Sequence, residues 1–154
     1  MLIRGIIEED FVQYRKPSMV IMMPYCDWKC GKDLCQNSPM ALTETQLVNP
    51  TKLALRYMSN FLTDAIVFSG LEPMDSYEEM LVMIQTFRNM TTDDIVIYTG
   101  YNKGEIIDKM TELKLSFPNI YIKFGRFIPY QQPHYDEVLG VYLASDNQYA
   151  EKIS

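Results

Sequence analysis

Cys26, Cys30 and Cys35 all fall inside one short segment, Pro24 to Asn37, and the rest of the 154-residue chain has no cysteine. Thiolates spaced this closely on a loop can converge on one metal centre, and three protein ligands leave a coordination position for something else to fill. An open position points to catalysis. The odd count argues against a disulfide framework, because clustered thiols in a reducing compartment more often bind metal or do chemistry.

Other chemistries lack their parts. The only histidine is His134, in the long loop from Ile128 to Glu137. Neither paired-histidine zinc hydrolysis nor a cysteine–histidine couple is therefore supported. No glycine-rich phosphate loop ends in Lys-Ser or Lys-Thr, and no dinucleotide fingerprint follows the first strand-like segment. With 14 Lys and Arg against 20 Asp and Glu, the net charge is -6 and no basic run occurs, so direct nucleic-acid binding is not expected. The apolar run Met19 to Met23 is too short to span a bilayer and Met1-Leu2-Ile3-Arg4 does not begin a secretory signal. A cytoplasmic protein with no membrane partner is expected.

The elements that must position the thiols can be read from periodicity. Ser18 to Met23, Ala65 to Phe68, Ile95 to Tyr98, Ile120 to Phe124 and Val138 to Leu143 are short, mostly continuous apolar runs, as in a mainly parallel sheet covered by helices. Leu2 to Ile7 is a sixth candidate, at an edge. Between them, Asn49-Pro50 starts a helix with Leu53, Ala54, Tyr57, Met58 and Phe61 on one face. Ser76 with Glu79, and Asn102 with Glu105, read as capping boxes opening two more helices, the last ending at Phe117-Pro118. The expected architecture is one α/β domain, residues 1–154, with its core over about 18–148.

The residues that no core argument explains follow the strands. The cysteine segment follows the first run, Ser69-Gly70-Leu71-Glu72-Pro73 the second, Thr99-Gly100-Tyr101 the third, Gly125-Arg126 the fourth and Ala144-Ser145-Asp146-Asn147-Gln148 the last. In parallel α/β folds the carboxyl ends of strands share one face, where ligands bind. Five loops are expected to converge there, with Gly70, Gly100 and Gly125 allowing close backbone approach to a ligand.

The cysteine loop, Ser69 to Pro73, Ile97-Tyr98-Thr99-Gly100-Tyr101 and Ser145-Asp146-Asn147-Gln148, in this order, resemble the radical S-adenosylmethionine enzymes, and among them the activases of anaerobic ribonucleotide reductase. The resemblance implies a partial, open (β/α) barrel with mainly parallel strands. It implies a 4Fe-4S cluster on Cys26, Cys30 and Cys35, with S-adenosylmethionine chelating the fourth iron. Ser69, Gly70, Leu71 and Glu72 then stand where the family's Gly-Gly-Glu-Pro loop meets the methionine amino group, and Asn37, Thr99 and Asn147 have counterparts near the cofactor. The implied activity is reductive cleavage of S-adenosylmethionine to place a glycyl radical on a large reductase subunit, with electrons from a low-potential donor.

The chain departs from the family pattern at named points. The second cysteine gap holds Gly31-Lys32-Asp33-Leu34 where two residues are usual, and Gly31 allows the bulge this requires. Leu34 replaces the aromatic residue beside the adenine, a place Trp28 or Tyr25 can take. Phe124-Gly125-Arg126 replaces Asp-Gly-Lys, leaving Arg126 for the cofactor carboxylate. Two alternatives stay open: the same cofactor chemistry on another substrate, and a non-catalytic zinc adaptor using the three cysteines and His134.

Overall fold

Four of the five mostly continuous apolar runs become parallel neighbours, because each is short, largely apolar on both faces and separated from the next by a helix. The computed structural model describes residues 1–154. Its strands are β1 (Leu2–Ile3), β2 (Gly5–Asp10), β3 (Ser18–Met23), β4 (Gln46–Leu47), β5 (Ala65–Gly70), β6 (Asp94–Tyr98), β7 (Ile120–Phe124), β8 (His134–Asp136), β9 (Val141–Leu143) and β10 (Tyr149–Lys152), and its helices are α1 (Pro50–Met58), α2 (Tyr77–Arg88) and α3 (Ile107–Ser116). The main sheet runs β10-β7-β6-β5-β3-β2. Its centre, β3, β5, β6 and β7, is parallel, and β2 and β10 are antiparallel edges. The sheet does not close into a barrel.

The two faces are covered differently. Met19, Ile21, Ile66, Phe68, Ile95, Ile97, Ile120 and Ile122 pack with the apolar stripes of all three helices in one buried cluster. The alternate residues Val20, Val67, Val96 and Tyr121 face the other way and meet Tyr14, Leu139 and Leu143, which come from irregular segments and the β8–β9 ribbon. One step further along each strand, the pairings Met22–Ser69 and Tyr98–Lys123 place Met22, Ser69, Tyr98 and Lys123 in one row on this helix-free face. That row ends the hydrophobic floor and begins the polar cavity.

Three expectations are corrected. Val138 to Leu143 is not a strand of the main sheet: Asp136 accepts from Leu139 N–H (2.9 Å) and Gly140 N–H (2.7 Å), Gly140 takes φ +72, and the run is bent into a turn and a ribbon strand. The edge next to β7 is instead Tyr149–Lys152, whose alternation buries Ala150 alone. Phe61 lies past the end of α1 and is 96 % exposed. Ser76 does not cap α2; the chain enters through a 3-10 turn at Pro73–Ser76, whose Met74 N–H is accepted by Glu72. The Asn49 cap holds, its side-chain oxygen accepting from Lys52 N–H at 3.0 Å.

These placements separate two phenylalanines. Phe68→Ala, in the fully buried centre of β5, is expected to cost about 3–5 kcal/mol in denaturant unfolding. Phe61→Ala is expected to stay within about 0.5 kcal/mol.

Candidate functional site

Past Met23 the chain has no ladder of its own, so the cysteine loop depends on local turns and on contacts to neighbouring loops. Trp28 and Gly31 both take positive φ (+59 and +86), and Gly31 N–H donates to Trp28 O (2.9 Å) while Leu34 N–H donates to Gly31 O (3.1 Å). These turns space the three thiols, each free and half-buried. The loop is tied down by Glu72 N–H to Tyr25 O (2.7 Å), Asp27 N–H to Asp75 Oδ2 (2.7 Å) and Asn37 Nδ2 to Gly70 O (2.7 Å). Tyr101 adds a latch, its hydroxyl lying 2.9 Å from Asp27 Oδ2 and 2.7 Å from Asp75 Oδ1. Lys29 supplies countercharge at 2.9 Å from Asp27.

All three cysteines line one cavity of about 370 Å³ above the row described. That volume lies within the usual range for small-molecule sites, about 300–1,000 Å³. Asn37, Ser69, Gly70, Leu71, Glu72, Thr99 and Arg126 line it too. Trp28 and Asn147 do not: Lys32 Nζ sits 5.6 Å from the Trp28 ring centroid, and Asn147 Nδ2 donates to Arg126 O at 2.7 Å. Ala144 and Gln148 reach the cavity because β10 is antiparallel, so the residues before it lie beside the carboxyl end of β7.

Glu72 is buried and its carboxylate takes three donors from the protein. It accepts from Met74 N–H (3.0 Å), Thr99 Oγ1 (2.7 Å) and Gly100 N–H (2.8 Å). Burial pushes its pKa up against these hydrogen bonds. The glycines line the cavity and also pack closely within the protein. A Cβ on Gly70 (φ +89) would lie 2.9 Å from Met22 Cα, and one on Gly100 would lie 3.3 Å from Arg126 Cγ and 3.4 Å from Glu72 Oε2. Arg126 is engaged in a fork with Glu105 (2.9 and 3.0 Å), which holds the Glu105 carboxyl down at about 2.

The residue that sequence reasoning missed is Lys123. It is buried, lines the cavity, and donates to Gly125 O at 2.8 Å. Burial pushes its pKa down to about 8, with the Glu72 charge acting the other way. A lysine within a strand gives no signal by itself; only the row across the sheet shows that it faces the cavity.

Thiol geometry bears on what the loop can hold. Zn–S bonds of about 2.3 Å put thiolates on one tetrahedral zinc about 3.8 Å apart. Among cysteine, histidine and carboxylate groups, only Cys26, Asp27 and Asp75 bring three ligand atoms within 4.8 Å of one another. The three sulfurs therefore do not all lie within 4.8 Å of one another, although Cys30 and Cys35 are close enough to hydrogen-bond. His134 lies in β8, outside the cavity lining. Burial pushes the Cys26 thiol up to about 11 and raises Cys30 as well. Iron uptake must displace their protons.

A family model described as a 4Fe-4S single cluster domain matches residues 17–148. No curated protein and no solved structure gives a match. No helix is long and apolar enough to cross a membrane.

Two substitutions probe the site. Tyr101→Phe removes the latch and is expected to speed alkylation of Cys26 and exchange of the loop amides about fivefold or more, read by mass spectrometry on the metal-free protein. Lys123→Met is expected to stabilise the fold by about 1–3 kcal/mol at neutral pH, because burying the ammonium is costly. The Gly125 carbonyl keeps a partner in Gln148 Nε2 at 3.2 Å. Between about 8 and 10.5 the unfolded chain binds the Lys123 proton more tightly than the folded one, so the gap should shrink as pH rises through that window in denaturant titrations.

Proposed function

Since the chain belongs to the 4Fe-4S single cluster domain family, we propose that Cys26, Cys30 and Cys35 hold one 4Fe-4S cluster whose fourth iron binds S-adenosylmethionine, and that the protein is a radical-generating activase. The observation that carries this reading is the convergence of three thiols with Ser69 to Glu72, Thr99 and Asn37 on one cavity large enough for a nucleoside-sized ligand. The sheet, with every helix packed on one face, is read as the partial, open (β/α) barrel of radical S-adenosylmethionine enzymes.

When bound and reduced by a low-potential donor, the cluster supplies the one electron that splits the sulfonium carbon–sulfur bond into methionine and a 5′-deoxyadenosyl radical. The proposed outcome would be a glycyl radical on the partner, its hydrogen atom carried off on 5′-deoxyadenosine. The proposed partner is the large subunit of an anaerobic ribonucleotide reductase, and the proposed setting is the cytoplasm. The chain's own residues bind, orient and exclude water. Glu72 fixes the loops after β3, β5 and β6 relative to one another. Met22 and Tyr98 floor the cavity with apolar surface. No side-chain acid or base is needed, consistent with a site that has no histidine.

Protein reconstituted anaerobically with iron and sulfide is expected to be brown, and the paramagnetic resonance signal of its reduced form is expected to change on adding S-adenosylmethionine. With the reductase subunit and a reductant, a glycyl doublet should appear and vanish in the Cys26→Ala, Cys30→Ala, Cys35→Ala triple variant. A colourless protein retaining one tightly bound zinc, or a doublet that survives the triple substitution, would overturn the reading.

A further inference from the structure

Of the cations that line the cavity, only two exist, and they differ in commitment. Arg126 is forked onto Glu105, whereas Lys123 has no carboxylate within salt-bridge distance and hydrogen-bonds only to the Gly125 carbonyl. Its relative exposure is 7 %, its ammonium lies 5.9 Å from the Tyr98 ring centroid, and it stands in the row that forms the cavity floor. An ammonium has three hydrogens to donate, and burying it with one carbonyl partner leaves it under-satisfied. The only carboxylate in the lining, Glu72, is also buried, and its charge acts on Lys123.

A cavity with one buried cation and one buried anion matches a zwitterion. A phosphate would gain Lys123 but meet repulsion from Glu72, whereas an α-amino acid group carries one charge of each sign. We infer that Lys123, and not Arg126, is the group that pairs with the carboxylate of the methionine moiety of S-adenosylmethionine, with Glu72 on the side of its amino group. This assignment rests on the function proposed above. It makes Lys123 a binding residue that selects for the amino-acid end of the ligand.

The test compares two ligands on anaerobically reconstituted protein by equilibrium dialysis: S-adenosylmethionine, and 5′-methylthioadenosine, which lacks the amino-acid group. Lys123→Met is expected to weaken S-adenosylmethionine about 30-fold or more, the loss typical of breaking a buried charge pair, and to leave 5′-methylthioadenosine within about twofold. Equal weakening of both ligands, or S-adenosylmethionine binding within about threefold of wild type, overturns the assignment while the proposed function stands. Absence of S-adenosylmethionine binding to the wild-type protein removes the proposed function and the assignment together. Should Lys123→Met fail to fold in a thermal scan, Lys123→Gln gives the same pair of readings.

Discussion

The cavity depends on Glu72. Its carboxylate collects Met74 N–H, Thr99 Oγ1 and Gly100 N–H, and its own N–H holds the Tyr25 carbonyl. Four contacts from one residue therefore join the cysteine loop, the turn into α2 and the loop after β6. None of these segments has a ladder to fix it, and hydrogen bonds to a charged acceptor are worth about 1.5–3 kcal/mol each where they replace water. Removing the carboxylate would orphan three donors at once, two of them in buried hydrogen bonds. The loop that carries the thiols is thus held in part from its neighbours.

The same constraint explains how much could be read from the chain. The parallel core was legible because β3, β5, β6 and β7 are mostly continuous apolar runs bounded by helical periodicity. The cysteine loop and the Ser69 to Pro73, Thr99 to Tyr101 and Gly125-Arg126 loops were legible as unexplained residues at strand ends. What failed was governed by side-chain-to-backbone bonds that periodicity does not encode. Asp136 and Gly140 convert an apolar run into a turn, and the helix that should have buried Phe61 stops at Met58, where Ser59 N–H and Asn60 N–H close on α1 carbonyls. The Ala144 to Gln148 loop reaches the site as expected but for another reason, since an antiparallel edge strand begins where the parallel strands end. Gly70 and Gly100 line the cavity, and a Cβ at either would also meet Met22, Arg126 or Glu72.

Lys123 and Glu72 show why the polar end of an apolar sheet is a place for binding. Burial raises the acid and lowers the base, so each is disfavoured in its charged form by the fold that positions it. Glu72 recovers part of that cost through three donors from the protein. Lys123 has one acceptor only. A methionine of similar length at position 123 would serve the core better, so a stability argument alone does not account for lysine there. The anion of the ligand proposed above would account for it, because its charge would offset part of the desolvation cost that the free protein carries.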